Sequence, residues 1–125
     1  MMSKAEDSPY VLIIDDDEDI RDVLTMLFVA KGIKNISTAV NGEDGFQKLC
    51  TALMPHVVLL DLMMPVASGW DFLAKVQAFP ELKIHRIAIL SAGSPDRASL
   101  GNYPFFTKPP DIKELMNFVR PPTGA

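Results

Sequence analysis

Short apolar runs recur along the chain, and segments with a different spacing of apolar residues lie between them. The runs are rich in β-branched residues and most lack polar positions, which is typical of strands that are buried on both faces of a sheet. The run at 33–40 is partly polar, as expected of a strand at a sheet edge. The predicted strands are residues 10–14, 33–40, 57–60, 86–90 and 103–107.

The segments between the runs have helical periodicity. In the first of them the apolar residues follow the i, i+3, i+4 rule at Ile20, Val23, Leu24, Leu27 and Phe28. The predicted helices are residues 19–31, 43–53, 69–78 and 111–119. Asp19 or a neighbour caps the first helix and Asp111 caps the last, because a carboxylate accepts hydrogen bonds from free amides at a helix start.

Residues 92–102 interrupt this alternation. Glycine costs a helix interior about 1 kcal/mol and proline about 3 kcal/mol, and Gly93, Pro95, Gly101 and Pro104 punctuate the stretch. Only 96–100 is free of both residue types, and so short a segment does not sustain a helix without strong packing. The sequence therefore predicts a loop or a single turn here instead of a full helix.

Strands that alternate with helices predict one parallel sheet with helices on both faces, a three-layer α/β/α fold. The length of 125 residues fits one domain. We assign it to residues 9–120, between tails at 1–8 and 121–125. In such sheets the ligand site lies at the carboxyl ends of the strands.

Composition narrows the function classes. The net charge is −4, which argues against nucleic-acid binding, because that needs a basic patch. Cys50 is the single cysteine, so no disulfide forms within the chain, and we predict that it is a small buried group. No apolar run approaches the ~20 residues that span a bilayer, and residues 1–8 do not resemble a signal peptide. We expect a cytoplasmic location and no membrane contact.

Polar side chains stand where the predicted strands end. They are Asp15, Asp16 and Asp17 after the first strand, Asp61 after the third, Ser91 after the fourth and Lys108 after the fifth. Clustered carboxylates repel one another, and a hard divalent cation such as Mg²⁺ relieves that repulsion. Asp61 is then a nucleophile beside a metal, and Lys108 and Ser91 offer donors to the oxygens of a phosphoryl group. The parts suit phosphoryl transfer to a carboxylate.

Four motifs occur in an order that closely resembles the receiver domain of response regulators. They are residues 11–21, residues 61–65 with Gly69 following, Ser91-Ala92, and Lys108-Pro109. The resemblance covers roughly residues 9–120 and implies a flavodoxin-like, doubly wound sheet of strand order 2-1-3-4-5.

The resemblance also implies the roles of individual residues. Asp61 is the phosphoacceptor, and Ser91 and Lys108 contact the phosphoryl group. Asp16, Asp61 and the backbone carbonyl of Met63 bind Mg²⁺ or Mn²⁺ directly, while Asp15 acts mostly through a bound water. Phe105 falls where the family keeps its switching aromatic, and the Lys108–Pro109 bond is cis.

The implied function is a signalling module of two-component systems. It is not an enzyme, although it assists its own phosphorylation and dephosphorylation. The phosphoryl donor is a histidine kinase or a histidine phosphotransfer protein, and the modified domain binds a downstream protein. We expect three departures from the family pattern: the fourth helix is shortened or absent, Phe105 has no hydroxyl group, and no output domain follows the last helix. The first two affect the output surface.

Two other functions stay open at this point. A degenerate receiver binds partners without phosphate. An aspartyl phosphatase of the haloacid dehalogenase type uses the first Asp of an Asp-x-Asp pair, which Asp15 and Asp17 match in letter. A calcium loop is excluded, because Ile20 and Met26 occupy the positions that need Gly and Glu. We predict that Asp17 is only solvated.

Overall fold

The computed structural model describes residues 9–64, 68–92 and 101–121. The strands within these ranges are β1 (Tyr10–Ile14), β2 (Asn35–Ala39), β3 (His56–Leu60), β4 (Ile84–Ser91) and β5 (Phe105–Thr107). The helices are α1 (Glu18–Ala30), α2 (Gly42–Cys50), α3 (Gly69–Ala78) and α4 (Ile112–Val119). Among these residues, no helix has both the length and the apolar character that crossing a bilayer requires.

All five strands pair in parallel, in the order β2-β1-β3-β4-β5, which confirms the expected topology. The central strands β1 and β3 are almost wholly buried, because helices cover both faces of the sheet. Their uninterrupted apolar sequences are what a strand with two covered faces requires.

The core is split by the sheet into two apolar layers. On one face, Val11 and Ile13 of β1 share a buried cluster with Phe28 of α1 and with Leu115 and Val119 of α4. Burial of each large side chain contributes about 1.5–3 kcal/mol, so the first strand and the last helix stabilise each other.

The second layer lies on the opposite face of the sheet. It joins Leu12 and Ile14 of β1 to Leu49 of α2 and to Phe72 and Leu73 of α3. Together the two layers confirm the three-layer α/β/α fold.

Each helix begins at a side-chain cap. The caps are Asp17, Asn41, Ser68 and Asp111, each accepting a hydrogen bond from a backbone amide of the first turn. Asp111 was predicted. Asp17 is exposed but does more than bind water, since its carboxylate accepts from the amide of Asp19 at 2.9 Å. The prediction that Asp17 is only solvated was therefore wrong.

Several predicted positions differ from the structure. Helix α2 ends at Cys50, three residues earlier than expected, and Cys50 is exposed. The preceding residue, Leu49, is buried, and Cys50 points about 100° away from it around the helix. Val23 of α1, predicted to face the core, is 52% exposed. The loop or single turn predicted at 96–100 lies outside the described residues, as do 1–8 and 122–125 of the predicted tails.

Candidate functional site

Strands β1 and β3 deliver two carboxylates to one place. Ile14 is paired with Leu60, so the residues that follow, Asp15 and Asp61, leave the sheet side by side. The backbone amide of Asp61 donates to the carbonyl of Ile14 at 2.9 Å, which extends the ladder by one residue. Asp15 and Asp61 are 2% and 5% exposed, so both acids lie in a nearly dry environment.

Lys108 is the cation that accompanies this pair. Its backbone amide donates to the carbonyl of Ser91 at 3.1 Å, just past the end of β5, and a cis peptide bond joins it to Pro109, as expected. The Lys108 Nζ atom lies 2.6 Å from Asp15 Oδ2 and 3.3 Å from Asp61 Oδ2. A single ammonium group therefore bridges both buried acids.

Burial and charge act on these groups in opposite directions. Burial raises the pKa of the Asp61 carboxyl above its ordinary value, and the nearby Asp15 adds to this, although the Met63 amide and Lys108 partly oppose it. Burial alone would lower the pKa of Lys108, but the hydrogen bond and charge of Asp15 and the charge of Asp61 outweigh it and raise that pKa. Lys108 is therefore firmly protonated at neutral pH, whereas Asp61 is costly to ionise.

Three carboxylates converge closely enough to share a cation. Oxygen atoms of Asp15, Asp16 and Asp61 all lie within 4.8 Å of one another. Asp16 is exposed, whereas the other two are buried. An all-oxygen set of this kind, with one side open to solvent, suits a hard ion such as Mg²⁺ that keeps several waters. The residues present thus fit the metal that the sequence implied.

Met63 lies beside this cluster. Its backbone amide donates to Asp61 Oδ1 at 3.1 Å, which holds the first residues after β3 against the carboxylate. Its side chain is 71% exposed.

Ser91 and Phe105, the two predicted switch residues, lie on the neighbouring strands. Ser91 ends β4 and is 1% exposed, and its Oγ atom has no hydrogen-bond partner among the described residues. A buried hydroxyl without a hydrogen-bond partner is unfavourable, so Ser91 Oγ would be stabilised by a ligand that supplies a partner. Phe105 begins β5, is half-buried, and packs against the apolar layer that contains Ile89, its strand neighbour.

Two residues support the site in ways that the sequence did not reveal. The Arg21 guanidinium donates to the backbone carbonyl of Asp15 at 2.7 Å. Gly69, at the start of α3, packs so closely that an added Cβ would lie 2.5 Å from the backbone oxygen of Asp61. Gly69 and Arg21 both lie within the motifs of the sequence, but nothing in the motifs states what they touch.

Comparison with known proteins agrees with this architecture. The family described as response regulator receiver domain matches residues 11–120. A probable chemotaxis protein CheY of Rhizobium etli is 33% identical over 121 residues, which is 92% of each chain. The crystal structure of a response regulator receiver protein from Pseudomonas putida superposes with a TM-score of 0.77 at 26% identity, covering 90% of this chain and 95% of that one.

Other relatives are much longer than this chain. The protein-glutamate methylesterase/protein-glutamine glutaminase of Bacillus subtilis is 31% identical over 109 residues, which are 79% of this chain but 29% of that protein. In protein-glutamate methylesterase/protein-glutamine glutaminase 2 of Methanosarcina acetivorans, the matching region is 18% of the length of that protein. The likeness is confined to one domain that these proteins share with shorter ones. The chain belongs to the response regulator receiver domain family of two-component signalling.

Proposed function

We propose that the chain accepts a phosphoryl group on Asp61 from a histidine kinase or a histidine phosphotransfer protein. One observation carries the proposal: Asp61 is buried at a strand end, where a protonated lysine bridges it to Asp15 and where Asp16 completes a cluster of three carboxylates. Asp16, Asp61 and the Met63 carbonyl would hold Mg²⁺ or Mn²⁺ directly, and Asp15 would act mostly through a water. When bound, the metal neutralises the carboxylates and the oxygens of the phosphoryl group.

The transfer itself requires little from the protein beyond position and charge. An oxygen of Asp61 attacks the phosphorus atom, the bond between phosphorus and the donor imidazole nitrogen breaks, and that nitrogen keeps the electron pair. Lys108 turns its ammonium group from the carboxylates to a phosphoryl oxygen, and Ser91 Oγ donates to another.

The modified domain then presents a changed surface to a downstream protein. Ser91 moves toward the phosphoryl oxygen, and Phe105 rotates inward without the help of a hydroxyl hydrogen bond. In this role the domain, residues 9–120, is a cytoplasmic binding module and not an enzyme with its own substrate, although it assists its own phosphorylation and dephosphorylation.

Mass spectrometry tests the proposal. Acetyl phosphate with Mg²⁺ should label Asp61, and Asp61→Asn should abolish the label. Asp71→Asn removes an exposed carboxylate on the first turn of α3 and is the matched control, which should label normally.

The position of the label also separates the alternative functions. Undiminished labelling of the Asp61 variant contradicts the proposal. A label on Asp15 would indicate chemistry of the haloacid dehalogenase type. No label at all, with binding of a partner retained, would indicate a receiver that works without phosphate.

A further inference from the structure

The loop between β1 and α1 carries the most exposed of the proposed metal ligands. Asp16 lies in this loop, and its side chain has no hydrogen-bond partner in the described part of the chain. No hydrogen bond of its own within that part holds this side chain, so its position depends on the backbone on either side of it. A metal ligand needs an aimed carboxylate, so whatever holds that backbone also determines how well the ion is bound.

Hydrogen bonds fix the backbone on both sides of Asp16. On the far side, the amide of Asp17 donates to Asp15 Oδ1 at 2.9 Å, and the amide of Arg21 donates to the carbonyl of Asp17 at 3.1 Å. On the near side, the carbonyl of Asp15 accepts from Arg21 Nη1 at 2.7 Å. That bond is partly buried and its donor is charged, so it is one of the stronger kind.

Arg21 thus joins the end of the strand to the first turn of the helix. From these contacts we infer that Arg21 is a positioning residue for the metal site: its guanidinium holds the carbonyl of Asp15 so that the next carboxylate, Asp16, points at the ion. This inference rests on the proposed function, because it assumes that the acidic cluster binds Mg²⁺.

The sign of one measurement separates positioning from simple electrostatics. Arg21 carries a positive charge and contacts the backbone of Asp15, beside the acidic cluster, so its removal alone should strengthen the attraction for a cation. Loss of the bond to Asp15 should have the opposite effect, because it frees the loop. Weaker Mg²⁺ binding after removal of Arg21 cannot come from the lost charge.

The experiment is a calorimetric titration of Mg²⁺ into the folded protein, with a thermal melt of each variant. Arg21→Met keeps much of the apolar stem and removes every donor. We expect its Mg²⁺ dissociation constant to rise on the order of tenfold, which is typical when a group that orients a metal ligand is lost. The matched control is Thr25→Ala, which removes a 2.7 Å bond to the carbonyl of Arg21 but leaves the guanidinium in place. Its Mg²⁺ affinity should stay within about twofold of wild type.

Unchanged or tighter Mg²⁺ binding by Arg21→Met overturns the inference, as does an equal loss in the Thr25 control. If Arg21→Met does not fold, Arg21→Gln carries the same expectation, because the shorter neutral amide loses the charged donor. Failure of the wild-type protein to bind Mg²⁺ is a separate result, and it counts against the proposed function itself.

Discussion

Replacement of Gly69 by alanine should disturb the phosphorylation site through the backbone. The added Cβ would lie 2.5 Å from the backbone oxygen of Asp61 and 2.7 Å from the Cα atom of Leu62. Ordinary contacts between such atoms begin at about 3.5 Å, so the start of α3 and the end of β3 must separate by about 1 Å. Neither group is a flexible side-chain tip, and the backbone itself has to move.

The cost can be estimated from this overlap. Forced overpacking in a well-packed region typically costs about 1–3 kcal/mol. For a domain of this size, that corresponds to a melting temperature lower by roughly 4–12 °C. A 1 Å displacement of a reacting group can slow a reaction on the order of 100-fold, so labelling of Asp61 by acetyl phosphate should slow at least tenfold.

A second glycine in the same layer is the control. In Gly45→Ala the new Cβ would overlap Cδ1 of Ile14, which is a side-chain tip and not backbone. This variant should lose stability but should label within about twofold of wild type once folded. If Gly69→Ala melts within 1–2 °C of wild type and labels at the same rate, the close packing has no influence on Asp61 and the reasoning fails.

Four further outcomes are expected. Asp17→Ala should lower the free energy of unfolding by about 1 kcal/mol in denaturant melts, because α1 loses its cap, whereas Asp17→Ser should not. Asp16→Ala should weaken Mg²⁺ binding strongly and Asp17→Ala only slightly, and equal losses in a titration would contradict the ligand assignment. Burial raises the pKa of Asp61 in the folded protein above its ordinary value of 3.8, so the folded state binds this proton more tightly than the unfolded chain does. The free energy of unfolding therefore falls as the pH rises from below 3.8 through the raised pKa. Asp61→Asn should therefore melt above wild type at pH 7 without metal, a difference that should shrink toward pH 3, and a constant difference would refute it. The exposed Met63 cannot orient water, so Met63→Asn should speed release of phosphate from the labelled protein, and a slower or unchanged time course counts against this.

The sheet and the acidic pair were predictable because both depend on local pattern. An apolar run that stops abruptly at an aspartate marks a strand end, and parallel strands bring their ends to one edge. Strand ends alone therefore predicted that Asp15, Asp61, Ser91 and Lys108 lie at one edge, and the family resemblance added their individual roles.

Contacts across the fold were less accessible. Helical periodicity did not decide whether Cys50 or Val23 faced the core, because each lies at the margin of an apolar stripe. Arg21 and Gly69 act through backbone atoms of Asp15 and Asp61, and the sequence does not show how closely the backbone passes them. Their roles emerged only from distances in the folded chain.

The shared layer of the first strand and the last helix has a consequence for biosynthesis. β1 leaves the ribosome before α4, yet Val11 and Ile13 gain their final cover only when Leu115 and Val119 have been made. A nascent chain that has completed β1, β2 and β3 can pair these strands and pack α1 on this face, but the part of the face that α4 covers stays open to water. Such half-covered sheets are prone to aggregate, so the interval before the last helix emerges is when this protein most needs a chaperone.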